Sequence, residues 1–262
     1  MDTPRPKLGV CWIWGSPFVW TESVDSMLQL RHPAGVDVAF FRGTGWGPAK
    51  RHLNACEKAL AWGADFLLIL GADQVYEPDL LERLMTRVAE GYEVIAAMVP
   101  SRGYLGWQAM QPFQRMAWRL KSHGLSPVNW SQDQLEAIDP KDGDMQRIDF
   151  VGSGVLLFRA EHLATLSQPW FYEEIDHATQ TRTASMDTRF VWRLKHEVYA
   201  QIWADTTIRV RHLHAFAIDD SYSERFADWA TPGVGPSDLC QFDPPSTPPT
   251  TDPAFARRDL KE

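Results

Sequence analysis

Residues 64–85, ADFLLILGADQVYEPDLLERLM, decide how this chain folds. The apolar run at 67–70 is far too short to span a membrane, and its unbroken hydrophobicity is that of a strand buried on both faces. It stops at Gly71-Ala72-Asp73, so Asp73 falls at the carboxyl end of the strand, the edge where open α/β sheets bind ligands. An acid at that edge is placed to hold a metal ion or a sugar hydroxyl. Pro78 then opens a helix, because a missing N–H costs nothing in a first turn. Leu80, Leu81, Leu84, Met85 and Val88 give that helix one apolar stripe.

The same alternation extends outward. Residues 7–14 read as a first strand, 19–30 as a helix, 36–42 as a second strand, 48–62 as a Pro-started helix and 92–99 as a further strand. A β-α-β-α-β-α-β order implies an α/β fold with a mostly parallel central sheet flanked by helices. From 100 to 144 the pattern breaks into polar, Trp-rich, Gly/Pro-punctuated sequence, longer than an ordinary connection and suited to acceptor contacts. Strands return at 146–151 and 155–159, a helix at 187–197, and short strands near 199–204 and 207–212, a smaller mixed C-terminal sheet portion. Residues 231–252 are rich in Pro, Ser, Thr and Gly and resist regular structure.

Composition narrows the class. With 262 residues and 44% hydrophobic content the chain suffices for one large domain with a sizeable core. Against 34 acidic residues there are 26 basic ones, and the net charge of −8 disfavours a surface that tracks phosphate backbones. Cys11, Cys56 and Cys240 are odd in number and lack ligand spacing, so they read as plain thiols of a reducing compartment. The start, MDTPRPKLGV, has no basic segment leading into an apolar core, and no window approaches the roughly 18 apolar residues of a membrane span. A cytoplasmic protein without a membrane span is expected.

Four segments in this order resemble the nucleotide-sugar glycosyltransferases of the GT-A fold, especially the family 2-like enzymes, over roughly residues 7–215. The first, NACEKALAWGADFLLILGAD at 54–73, is similar to a stretch running from an Asn-headed helix to an acidic motif that supports a divalent cation on the donor diphosphate. Asp73 matches the last acid of that motif, Gly71 stands where the first acid would be, and Asn54 heads the match. The second, VGSGVLLFR at 151–159, is similar to a glycine element approached by the donor sugar, which implies donor contacts at Gly152, Ser153 and Gly154. Read alone, a Gly-Ser-Gly turn between two strands is a hairpin or bulge. The third, MDTRFVWRL at 186–194, resembles a helix start whose acid is the general base of inverting members. That implies Asp187 as base, with Met186 replacing a preceding acid and Arg193 as a phosphate contact. Local sequence serves equally well to make Asp187 a helix-start acid. The fourth, TIRVRHLH at 207–214, resembles a late strand ending in a metal- or diphosphate-contacting His, here His212, with His214 on the same face.

The resemblance thus implies a metal-dependent glycosyltransferase that moves a sugar from a nucleoside-diphosphate sugar, such as a UDP sugar, to an acceptor hydroxyl by a single inverting displacement. Asp73, His212 and His214 are the implied metal ligands, and carboxylate, phosphate and imidazole donors suit Mn²⁺ or Mg²⁺. The implied Rossmann-like GT-A domain covers 1–230, with a nucleotide-binding half at about 7–100 and an acceptor and catalytic half at about 101–230, before a Pro-rich tail at 231–262. The acceptor stays open between a glycan, a protein and a hydroxymethylated base in phage-type DNA, for which Lys50-Arg51-His52 and 209–212 supply local basic sequence.

Two other readings compete. A sugar-1-phosphate nucleotidyltransferase should carry a Gly-rich, basic loop after the first strand, of which Gly15-Ser16-Pro17 is a poor version. A catalytically degenerate sugar- or nucleotide-binding protein is suggested by Gly71 and Met186. Gly43-Thr44-Gly45-Trp46-Gly47 lacks the spacing of a dinucleotide-binding loop and reads as a plain loop. Arg102 is a second phosphate candidate. Of the 12 tryptophans, Trp107, Trp118 and Trp130 lie where an acceptor sugar would stack, although most serve packing.

Overall fold

A computed structural model describes residues 4–15, 19–100, 117–121, 135–176, 178, 181–213 and 217–218. The tail at 231–262, His214, Arg102, Trp107 and Trp130 lie outside the described residues. The alternating runs become β1 (Lys7–Ile13), α1 (Thr21–Leu28), β2 (Asp37–Gly43), α2 (Pro48–Trp62) and β3 (Phe66–Gly71). After them come β4 (Gln74–Tyr76), α3 (Leu80–Ala89) and β5 (Val94–Ala97). Helix α2 has the bounds its punctuation dictates, with Pro48 in the first turn and Gly63 closing the end at φ 84°, a left-handed conformation that glycine adopts without strain.

The second half contributes β6 (Ala117–Leu120), β7 (Leu135–Ala137), β8 (Met145–Ile148), β9 (Phe150–Val151) and β10 (Val155–Arg159). It continues with α4 (Glu161–Thr165), β11 (Glu174–Asp176), β12 (Thr181–Ala184), α5 (Met186–His196), β13 (Ile202–Asp205), β14 (Val210–Leu213) and β15 (Ala217–Ile218). The central sheet has seven strands in the order β2-β1-β3-β10-β5-β13-β8. Strand β1 is parallel to β2 and β3, and β13 is parallel to β5. Strand β10 is antiparallel to both β3 and β5, and β8 is antiparallel to β13. Because β3 and β5 both oppose β10, strands β2, β1, β3, β5 and β13 run one way while β10 and β8 run the other.

The fold is therefore α/β with a mostly parallel sheet flanked by helices, and it corrects the simple β-α-β reading in one respect. A strand from late in the chain is inserted between β3 and β5, which are not neighbours. Its sequence, VLLFR, is as apolar as that of β3, so it fits a central location where both faces are covered. Met27, Leu80, Leu81 and Leu84 from α1 and α3 pack one face of the sheet. Ala55, Cys56 and Ala59 of α2 and Phe190, Val191 and Leu194 of α5 pack the other. Small antiparallel sheets, β15-β14-β4, β7-β6-β9 and β11-β12, are attached around this sandwich. Cys11 and Cys56 are buried free thiols. No helix among the described residues is long and apolar enough to cross a membrane.

Helix α2 lies so close to β1 that a Cβ on Gly9 would stand 2.7 Å from Ala59 Cβ and 3.2 Å from Ala64 Cβ. Both neighbours are methyl groups fixed to backbone and cannot swing aside. Gly9→Ala is expected to destabilise the protein by about 1–3 kcal/mol through overpacking. Urea unfolding measures this, and an unchanged midpoint would show that the helix is not held at that distance.

Candidate functional site

Because β10 runs against β3, its beginning lies beside the end of β3. The Gly71 N–H donates to the Gly154 carbonyl at 3.1 Å, which places the 152–154 turn at the carboxyl edge of the sheet. The turn is not a hairpin, since β9 pairs with β6 whereas β10 pairs with β3 and β5. From the same edge Asp73 leads into β4, which pairs antiparallel with β14 in the register His212↔Gln74. The Leu213 N–H donates to the Asp73 carbonyl at 2.7 Å. This register brings His212 Nε2 to 3.5 Å from Asp73 Oδ2, while His212 Nδ1 lies 2.7 Å from the Pro100 carbonyl.

An imidazole and a carboxylate side by side are the donor types that a divalent cation takes. The Pro100 oxygen can only accept, so Nδ1 donates to it and Nε2 is the ring nitrogen turned towards the carboxylate, the way an outer hydrogen bond orients metal-bound imidazoles. The 3.5 Å separation is longer than the roughly 2.7–2.9 Å of a good charge-assisted hydrogen bond. It is slightly wider than the ~3 Å between adjacent ligands of an octahedral ion with bonds of about 2.1 Å. Among the described residues no group of three or more His, Cys, Asp or Glu side chains converges on one point.

Gly71 has a physical reason that local sequence does not show. A Cβ there would lie 2.8 Å from Gln74 Nε2 and 3.0 Å from Asp73 Oδ1. A Cβ on Gly154 would overlap the same Gln74 amide. The Gln74 side chain, 3% exposed, thus fills the space between the two glycines. Tyr76 Oη lies 2.6 Å from the Gly71 carbonyl and 3.0 Å from Gln74 Oε1, both acceptors. Burial, aided by the charge of Asp73, pushes the Tyr76 phenol well above its ordinary range, so it remains a donor. A neutral amide occupies the ground next to the position where the resemblance expects an acid.

Helix α5 starts at an N-cap, Ser185, whose Oγ accepts from the Thr188 N–H. Asp187 is in its first turn, its Oδ1 accepting from the Thr188 N–H at 2.9 Å and hydrogen-bonded to Ser185 Oγ. The helix-start role is thus present, and Asp187 also acts on the cluster by charge. It opposes the burial that holds the His52 imidazole below its ordinary value. His52 is 5% exposed, with Nδ1 2.8 Å from the Pro48 carbonyl and Nε2 3.3 Å from Ser153 Oγ, so it links α2 to the 152–154 turn.

Asn54 and Arg193 make contacts of their own. Asn54 Oδ1 accepts from Thr44 N at 3.1 Å and Thr44 Oγ1 at 2.7 Å, fixing the loop after β2, and Arg51 ties Gly45 and Gly15 carbonyls together across the loops after β2 and β1. Of Lys50-Arg51-His52, then, Lys50 is exposed, Arg51 is engaged with these carbonyls and His52 is buried. Arg193 is 3% exposed and donates to Ser167 O, Ser167 Oγ, Pro169 O and both oxygens of Glu197. The structure gives it the work of clamping 167–169 to α5. Trp118 lies in β6, opposite Ala137 and Phe150.

Gln74 and His52 are the members that sequence reasoning missed. Gln74 carries no local signal, because its strand exists only through β14. His52 carries one: with Ala55, Cys56 and Ala59 it lies on the buried stripe of α2, and an imidazole on an apolar stripe needs a partner.

The fold is α/β, with a cluster of polar side chains at the carboxyl edge of its central sheet. No family model matches the chain, and no curated protein matches it. Among solved structures, the protein A197 from STIV aligns at 15% identity over 80% of this chain and 86% of its own, with a TM-score of 0.49. A TarS fragment of S. aureus in complex with UDP aligns at 13% identity over 77% of this chain and 58% of its own, with a TM-score of 0.40. A UDP-glucose pyrophosphorylase from Acinetobacter baumanii aligns at 12% identity over 68% of this chain and 56% of its own, with a TM-score of 0.37.

Two outcomes follow from the site's surroundings. Burial lowers the His52 and His162 pKa values from the ordinary 6.5. As pH falls below that value the unfolded chain takes up protons that the folded chain refuses, so stability is full above about pH 6.5 and declines below it. Urea midpoints across pH 5–8 should show this slope, shallower in His52→Phe, and an identical slope in the variant would remove His52 as a source. Arg193→Met should cost about 2–3 kcal/mol by removing charged hydrogen bonds, with ligand affinity of the folded protein retained. Lost affinity at unchanged stability would instead return Arg193 to the ligand site.

Proposed function

We propose that this protein is a metal-dependent glycosyltransferase, using a nucleoside-diphosphate sugar and an acceptor hydroxyl. The observation that carries the reading is the Asp73–His212 pair, an oriented imidazole facing a carboxylate at the end of β3, beside the glycine turn at 152–154. Asp73 and His212 would hold Mn²⁺ or Mg²⁺, the imidazole favouring Mn²⁺, and His214 is retained as a further ligand candidate. The cation would supply charge neutralisation for the departing diphosphate. Gly71, Gly152, Ser153 and Gly154 are the proposed donor-sugar wall, with Gln74 packed behind Gly71 and Gly154 and the Ser153 hydroxyl as its polar group.

Asp187 is the proposed general base. Its hydrogen bonds to Ser185 Oγ and the Thr188 N–H both use Oδ1, and Oδ2 is the oxygen assigned the acceptor proton. The acceptor oxygen then bonds to the anomeric carbon as the bond from that carbon to the diphosphate oxygen breaks, its electron pair leaving with the diphosphate. A second reading, binding without turnover, is favoured by one observation, the Gln74 amide packed against Gly71 and Gly154.

Thermal unfolding with a panel of UDP, GDP and dTDP sugars, with and without Mn²⁺, tests both. A donor at 100 times its Kd adds about 2.7 kcal/mol of stability. For a domain of this size that corresponds to a Tm increase of about 5–10 °C. The rise should require Mn²⁺ and be lost in Asp73→Ala and His212→Ala. Asp187→Ala should keep the rise while losing donor hydrolysis or transfer by at least about 100-fold. Full turnover in Asp73→Ala and Asp187→Ala sinks the assignment, and a metal-dependent rise without any turnover in the wild type selects the binding protein.

A further inference from the structure

We propose that His52 fixes the Ser153 hydroxyl as a pure hydrogen-bond acceptor, making Ser153 the residue that recognises a hydroxyl of the bound sugar and not its diphosphate. The proposal rests on the glycosyl-transfer reading. The logic begins at Pro48, whose carbonyl lies 2.8 Å from His52 Nδ1. A carbonyl only accepts, so Nδ1 carries the ring proton. The ring is buried against Phe171, with centroids 5.3 Å apart, and burial keeps it neutral near pH 7. The charged groups acting on it are Asp187, which favours protonation, and Arg51, which opposes it.

In that tautomer Nε2 is a bare lone pair 3.3 Å from Ser153 Oγ, so the hydroxyl hydrogen is directed at the ring. Ser153 has only lone pairs left to offer. It is half-buried, and neither flanking residue, Gly152 or Gly154, has a Cβ to screen it. Gly154 is bonded to Gly71 at the sheet edge, so the hydroxyl belongs to the same mouth as Asp73. A group approaching these lone pairs must bring a proton. A sugar hydroxyl does so, whereas the oxygens of an ionised diphosphate would meet lone pair with lone pair.

Calorimetric titration of the full chain with Mn²⁺ at pH 7.5 tests this, comparing each nucleoside-diphosphate sugar of the panel with its bare nucleoside diphosphate. Ser153→Ala and His52→Phe, which keeps the ring packing against Phe171, should weaken the sugar nucleotide about three- to tenfold, the worth of one hydrogen bond. The bare nucleoside diphosphate should change less than about twofold in both. His52→Gln, whose amide oxygen can accept the same proton, should restore much of the difference. Equal weakening of both ligands, or no weakening in Ser153→Ala, overturns the role of Ser153. A wild-type protein that binds no sugar nucleotide overturns the glycosyl-transfer reading and this inference with it.

Discussion

The insertion of β10 between β3 and β5 is the constraint on which the remaining structure depends. Strands β2, β1 and β3 form one parallel group, β5 and β13 another with β8 antiparallel at its outer edge, and β10 joins the two groups by pairing with both inner edges. Its residues Val155, Leu156, Leu157 and Phe158 are fully buried, feeding alternate side chains into the cores on the two faces. Unpaired edges of β3 and β5 would otherwise leave two rows of backbone groups without partners in the middle of the molecule. Because β10 runs backwards, its first residues arrive at the carboxyl ends of the parallel strands. One topological fact therefore closes the sheet and delivers the glycine turn to Gly71.

The second delivery, that of His212, depends on charge as well as on strand pairing. Asp205 is essentially buried and is met by Arg87 Nε at 2.8 Å and the Thr207 N–H at 2.9 Å. Arg83 reaches from α3 to Glu77 at 2.7 Å and to Thr207 Oγ1 at 2.5 Å. These bonds fasten the turn between β13 and β14 onto α3, so β14 enters beside β4 in a fixed register. A buried carboxylate satisfied by a guanidinium and an N–H is costly to disturb, because removing one partner leaves the charge uncompensated. The helix that follows Asp73 in sequence thereby also positions the histidine that comes to Asp73 in space.

Local chemistry made much of this legible. The punctuation around α2, the apolar stripe of α3 and the unbroken run in β3 each report directly on burial and termination, and these elements lie within a residue or two of where the pattern puts them. Asp73 was legible for the same reason, as an acid that follows a strand known to be buried. β4 was not, because Gln-Val-Tyr has no strand character until β14 pairs with it. The direction of β10 was not legible either, since an apolar run looks the same in both orientations. The Gly-Ser-Gly turn looked like a hairpin because its two strands are adjacent in sequence, yet they pair with different sheets.

The sequence by itself determined the class of fold, the parallel edge and the acid at its end, since periodicity, Pro and Gly placement and burial preference are properties of short segments. Only the tertiary structure decided what surrounds that acid. The 3.5 Å approach of His212, the Gln74 amide filling the space of a missing side chain at Gly71, and the imidazole of His52 behind Ser153 all join residues from distant segments. Their separations are set by strand direction and register, which depend on the simultaneous satisfaction of many backbone groups. No local pattern encodes them.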